Sequence, residues 1–290
     1  MTETDSAFAK INISLDIVSK RHDGFHDLKM VMQSISLCDE ITVGCVPGEG
    51  VGVESGLPYL PDDERNIAAK AALAFFQHTG IKGYRANIRI KKNIPVCAGL
   101  GGGSADGAAV LRMLDRMFDS GLGRIALEKL GSSIGSDIPF CITGGTKLAE
   151  GKGEILTDLK PMPRCCIVVC KPAFSFSTPE LFGRIRCEKI HARPDTDGLL
   201  DALEKGDLNG VARRMYNVFE DALPRGERYI AEIKYTMLDN GALSAIMTGT
   251  GPTVFGLFRD EACAQKAYEQ LKPGYGDCYL AETKERLGVF

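Results

Sequence analysis

Stretches of period two alternate with longer stretches of helical period along this chain, and together they predict two halves of mixed structure. Ala9 to Val18 and Met30 to Val43 read as strands joined by a turn, RHDGFHD, from Arg21 to Asp27. Asn66 to His78 predicts a helix closed by Gly80. Ala86, Ile88 and Ile90 alternate with Arg85, Asn87 and Arg89 as in a half-buried strand, which Pro95 ends. A helix then runs through Ala108, Ala109, Val110, Leu111 and Leu114, with Ser104 placed to cap or begin it, and a shorter helix covers 124–133.

Prolines in LKPMPR, 159–164, interrupt the pattern and predict a boundary, giving lobes of residues 1–160 and 161–290. Beyond it come a strand at 165–170, several helices from 178 to 239, strands at 243–247 and 253–258, a helix at 260–271 and a strand at 278–283. With the extra helices set aside, this order is β, α, β, β, α, β, the split arrangement of ferredoxin-like domains. The fold class expected is therefore α+β with two lobes.

Composition narrows the function. A chain of 290 residues exceeds what one core usually holds, and 44% hydrophobic with 25% charged residues is an ordinary globular balance. Lys and Arg total 35 against 38 Asp and Glu, a net charge of -3, so no nucleic-acid footprint is present and a bound phosphate would be held locally. The start, MTETDSAFAK, is too polar for a secretory signal and no apolar run approaches a membrane span, so a cytoplasmic protein without membrane contact is expected. Ten cysteines form no CxxC pair, and Cys165, Cys166 and Cys170 in CCIVVC read as small hydrophobes of a buried strand. His22 and His26 are four apart, but Asp23 and Gly24 between them favour a turn, so no metal site is expected. The sequence carries no signal of oligomeric state.

The most informative segment is IPVCAGLGGGSADGAA, Ile94 to Ala109, with four glycines in five residues. Glycine lets a ligand approach the main chain, and the free amides and positive dipole of the following helix favour a phosphate. The order is strand, loop, helix. Counting from Gly99, the sixth position is Ser104 and not glycine, so the dinucleotide fingerprint fits poorly; the Gly-Lys-Ser/Thr of a P-loop is also absent. A second cluster, TGTGPTVFGLF from Thr248 to Phe258, is a tight loop feeding a strand that would pack beside the first.

AKINISL at Ala9 to Leu15, PVCAGLGGGSADGAA at Pro95 to Ala109 and TGTGPTVF at Thr248 to Phe255 resemble, in order, the three motifs of the GHMP small-molecule kinases. RHDGFHDL, GSDIPF and FSTPELF resemble the branch of that family acting on a cytidine-diphosphate-linked methylerythritol in the non-mevalonate isoprenoid pathway. The resemblance implies the two-lobed fold of that family, with a left-handed βαβ unit in its first lobe. It also implies phosphorylation of the 2-hydroxyl with ATP and Mg2+. Asp137 would be the base and Lys10 the orienting cation. The ATP site would comprise Asn66, Lys92, Pro95, Val96, Cys97, Ala98, Gly99, Leu100, Gly101, Gly102, Gly103, Ser104 and Ala105, with Gly249, Thr250 and Gly251 supporting the phosphate loop. Phe25 and Phe182 would sandwich the cytosine, His26 and Thr178 would add polar contacts, and Asn12 would approach the methylerythritol. Phe25 stands where tyrosine is usual and Ala105 where a second serine is common, each removing a hydroxyl. Two alternatives stay open: a GHMP kinase for mevalonate, homoserine or a sugar, and a nucleotide-binding sensor that lacks turnover.

Overall fold

A computed structural model of the protein describes residues 1–190, 192–223 and 228–287. Two long strands organise its first half. β1 (Thr2–Lys20) and β2 (His26–Pro47) pair antiparallel from Thr2–Gly44 to Lys20–His26, with register shifts after Phe8, Asn12 and Ile17, through a turn in which Arg21 N donates to Phe25 O at 2.8 Å. β3 (Val51–Glu54) is followed by α1 (Ile67–Thr79), capped by the Asn66 side chain at its start and by left-handed Gly80 at its end. β4 (Tyr84–Lys91) then pairs parallel with β3 and antiparallel with the far half of β2. Its buried residues are Ala86, Ile88 and Ile90, so the period-two pattern is realised as one buried face.

α2 (Gly102–Met117) begins two residues earlier than the Ser104 cap predicts. The reason is local: Gly101, at φ 69°, takes the left-handed turn into the helix and its carbonyl accepts from Ala105 N at 2.9 Å, placing Ser104 inside the first turn. α3 (Gly123–Ser132) and the short α4 (Ile138–Thr143) follow. β5 (Thr146–Gly151) pairs with the near half of β2, and β6 (Ile155–Asp158) with β5.

The second sheet contains β7 (Cys166–Lys171), β9 (Ser244–Met247), β10 (Val254–Phe258) and β11 (Asp277–Glu282), in the order β11-β7-β10-β9 with every neighbouring pair antiparallel. This is the strand order of the expected ferredoxin-like split. The inserted helices are α5 (Thr178–Arg184), α6 (Thr196–Glu204) and α7 (Leu208–Ala212), and α8 (Arg228–Asp239) and α9 (Glu261–Leu271) cover the sheet. The sequence pattern does not predict β3 or α4, nor β8 (Tyr216–Asn217), which leaves the second half to pair parallel with β1 at Ser14 and Leu15.

Both faces of the second sheet are covered, which explains the unbroken apolar runs in CCIVVC and VFGLF. Val168, Cys170, Val254 and Phe258 pack with α8 and α9, whereas Ile167, Val169, Phe255 and Leu257 share a core with Ala9, Ile11 and Ile13 of β1. Each of the Val, Ile, Leu and Phe side chains among these contributes about 1.5–3 kcal/mol through burial. The consequence for function is geometric: β1 is fixed by the second sheet through one face and turns Lys10 and Asn12 into the cleft from the other.

Candidate active site

A cleft of about 1200 Å³ opens where the two glycine loops meet, lined by Lys10, Asn12, Gly99, Gly101, Asp137 and Gly249–Gly251 and by Phe25, His26, Thr178 and Phe182. The loops touch. A Cβ at Gly99, whose φ is 75°, would lie 2.3 Å from Thr248 O, and one at Gly249 would lie 3.1 Å from Gly99 O. Only glycine permits this approach, and it leaves main chain, not side chain, facing the cleft. Gly101 makes no side-chain cap for α2, so the first amides of the helix keep their donors for a ligand.

Lys10 and Asp137 converge although they are far apart in sequence. Lys10 Nζ lies 3.6 Å from Asp137 Oδ2, and their side chains are 6% and 31% exposed. The lysine is held from below: Nζ donates to Asn12 Oδ1 at 2.8 Å, and Asn12 Oδ1 also accepts from Thr248 Oγ1 at 3.3 Å. Asn12 N in turn donates to Thr248 Oγ1 at 3.0 Å. Asn12 is 1% exposed, so its side chain orients Lys10 from the floor of the cleft. Asp137 occupies the N-cap position of α4 yet makes no side-chain cap bond, so its carboxylate is not spent on the local turn.

The aromatic side differs in detail from a simple two-ring sandwich. His26 stacks on Phe182 with centroids 5.0 Å apart, and Phe182 meets Phe219 edge-on at 4.9 Å. Phe25 is 58% exposed, with Lys152 Nζ 5.1 Å from its ring centre. Burial, and then the charge of Lys20, hold the His26 imidazole below its usual range, favouring the neutral ring that offers both a donor and an acceptor. Thr178 Oγ1 and Thr250 Oγ1 are 3.0 Å apart and join α5 to the second glycine loop.

Other expected contacts sit differently. Ala98, Leu100 and Ala105 are buried in the core and Pro95 is buried beside them, so these residues offer only backbone; Val96 is half-buried and Cys97 is exposed at the rim. Gly102, Gly103 and Ser104 form the first turn of α2. The side chain of Asn66 is used twice within the fold, accepting from Ala68 N and donating to Pro61 O, each at 2.9 Å. The Lys92 ammonium lies beneath the loop between Asp39 and Asp106, with its side chain 7% exposed. Sequence reasoning did not single out Lys20, Lys152, Glu154 or Phe219, all of which line the cleft. The AEGKGE hairpin bearing Lys152 and Glu154 carries only a turn signal in the sequence.

Among the described residues no cluster of three or more His, Cys, Asp or Glu has the spacing of a metal site, and no helix is long and apolar enough to cross a membrane.

Comparison with known proteins agrees with this architecture. The family model of the GHMP kinases N terminal domain matches residues 66–145, and that of the GHMP kinases C terminal matches residues 199–277. A 4-diphosphocytidyl-2-C-methyl-D-erythritol kinase of Clostridium botulinum is 44% identical over 277 residues, covering 96% of this chain and 98% of the relative. One from Clostridium perfringens is 42% identical over 279 residues, covering 96% of each. The crystal structure of a 4-(cytidine 5'-diphospho)-2C-methyl-D-erythritol kinase superposes with a TM-score of 0.80 at 29% identity, covering 97% of this chain and 99% of that one. Mevalonate kinase from L. major shares the fold at a TM-score of 0.74 and 18% identity, over 98% of this chain and 97% of its own. On these matches and on the meeting of its glycine loops over Lys10 and Asp137, the chain belongs to the GHMP kinase family, within its 4-diphosphocytidyl-2-C-methyl-D-erythritol kinases.

Proposed function

We infer that the protein transfers the γ-phosphoryl group of ATP to the 2-hydroxyl of 4-diphosphocytidyl-2-C-methyl-D-erythritol, a step of the non-mevalonate route to isoprenoid precursors. The observation that carries the residue assignment is the Lys10–Asp137 pair at 3.6 Å beside the amides of α2. Phosphoryl transfer demands positioning and charge stabilisation more than covalent help from the protein. In this reading the triphosphate lies along Gly99–Ser104, and magnesium arrives with ATP as part of the substrate. The acceptor alcohol lies between that loop and Asp137, which takes the hydroxyl proton as oxygen attacks phosphorus. Lys10, steadied by Asn12, orients the carboxylate and the alcohol.

Neutral His26, backed by the stacked Phe182 ring, recognises the cytosine edge, and Phe25 covers the ring from the open side. This aromatic wall favours the cytidylyl substrate over mevalonate, homoserine or a free sugar, none of which has a flat ring to stack. A catalytic Lys–Asp pair also favours turnover over passive nucleotide sensing. Residues 1–160 and 161–290 are proposed as the nucleotide lobe and its partner, and the ten free thiols support a reducing, cytoplasmic setting. Purified protein with ATP, magnesium and the cytidylyl substrate should release ADP, and methylerythritol without its cytidylyl group should not. ADP release on mevalonate or homoserine instead would reassign the substrate.

A further inference from the structure

Directly beneath the phosphate loop, three charged side chains are buried together. Lys92 Nζ donates to Asp39 Oδ2, and at 2.9 Å to Asp106 Oδ2. Asp39 is engaged further, accepting from Asn93 N at 2.6 Å and Ile94 N at 2.8 Å, the residues that lead into the loop. Asp106 stands four residues after Gly102 on the same face of α2. A Cβ on Gly102 would lie 3.3 Å from Lys92 Nζ, so the cluster braces both limbs of the loop.

With both carboxylates ionised, the cluster holds a net negative charge away from water. Three of its four carboxylate oxygens accept hydrogen bonds; the fourth, Asp106 Oδ1, is buried without a partner. A bare carboxylate oxygen at low dielectric is costly, and a proton there removes the cost. Burial first, opposed by Lys92 and reinforced by Asp39, moves the Asp106 carboxyl up to about 7. The other ionisable groups of the surrounding elements are neutral or already ion-paired. The Cys141 thiol of α4 is pushed up to about 12 by burial and stays neutral, and α1 presents Ile67 to Gly103 and Gly107. Lys10 of β1 and Arg112 of α2 are engaged by Asp137 and Asp5.

We propose that Asp106 takes up a proton from solvent when ATP seats on the loop, making the Lys92–Asp39–Asp106 cluster the device that matches the loop's charge to its ligand. The amides that receive the phosphates lie one helical turn from Asp106. Negative charge arriving there raises the cost of the second buried carboxylate, and protonation leaves Lys92 and Asp39 as a neutral pair. Asp106 is thus a positioning residue that touches no substrate. The inference rests on the ATP reading above. Its sign is fixed: because binding raises the Asp106 pKa, affinity is full below the free-state value and is lost as pH rises through the bound-state value.

The test is calorimetry of MgATP binding in two buffers of different ionisation enthalpy, with wild type and Asp106→Asn. Near pH 7.5 wild type should take up roughly 0.3–0.5 proton more than the variant, and its affinity should fall by up to about tenfold between pH 6 and 9 relative to the variant. The nucleotide's own titration is common to both proteins and cancels. Equal proton counts and parallel pH profiles would overturn the proposal. Carbon NMR of labelled aspartate in wild-type protein gives a readout that needs no variant: the Asp106 carboxyl should titrate near neutrality and shift toward its protonated position on adding nucleotide. A carboxyl ionised throughout, with and without nucleotide, would also overturn it. Absence of any ATP binding would instead remove the nucleotide reading along with this one, which tells the two failures apart.

Discussion

The Lys10 ammonium faces the Asp137 carboxylate at 3.6 Å, and Asn12 holds that ammonium in place through a 2.8 Å hydrogen bond. In the proposed reading, a base so placed would accept a proton from an alcohol lying between it and the phosphate loop. Asp137→Asn keeps the shape and removes the basicity, so kcat should fall by about 10²- to 10⁴-fold with KM little changed. Steady-state kinetics with both substrates varied is the check; turnover like wild type would remove Asp137 from the mechanism.

Gly99 is the point where the two glycine loops touch. Gly99→Ala puts a methyl 2.3 Å from Thr248 O at a φ of 75°, so the loops must part. The variant should lose about 2 kcal/mol or more of stability in urea unfolding and should bind ATP more weakly. Unchanged unfolding and ATP affinity would show that the contact carries no weight.

Phe182 belongs to the cleft and to the core at once, touching His26 on one side and Phe219 on the other. Phe182→Ala should raise KM for the cytidylyl substrate by an amount equivalent to roughly 1–3 kcal/mol, with the KM for ATP nearly unchanged. Equal effects on both substrates would assign Phe182 to the core alone.

Asp158 is the hub of a charged network, accepting from Arg124 at 2.8 and 3.1 Å, from Arg286 at 3.1 Å and from the buried Lys147. The Arg124 hydrogen bonds foremost, and then Lys147, hold its carboxyl below the usual range. A carboxylate with a depressed folded-state pKa stabilises the fold above its unfolded value and loses that contribution as pH falls through the folded one. Asp158→Asn should therefore be less stable than wild type at neutral pH, and the gap in melting temperature should close progressively below about pH 4. A gap independent of pH would locate the effect in packing.

What the sequence discloses depends on how local the determinant is. α1 is readable from Asn66 to Gly80 because its cap, its apolar face and its stop signal are all within the helix. β4 is readable because one face is buried. β8 is not, since two residues become a strand only by pairing with Ser14 and Leu15. The start of α2 shifts from Ser104 to Gly102 because a left-handed glycine, which has no side-chain signature, supplies the turn. The convergence of Lys10 on Asp137 comes from tertiary packing and was legible only through the order of the motifs. For Asn66 and Lys92 the structure shows side chains engaged in a helix cap and a buried ion cluster, roles that spacing alone does not distinguish from nucleotide contact.

The transferred phosphate itself gives the most direct test of the central claim. Phosphorus NMR of the reaction of ATP, magnesium and the cytidylyl methylerythritol should show ADP and a new phosphate monoester in equal amounts, the ester located by carbon–phosphorus coupling at the 2-position, with both signals growing about 10²- to 10⁴-fold more slowly in Asp137→Asn. Phosphate released free, or esterified at another hydroxyl, or formed equally well by the variant would contradict the account.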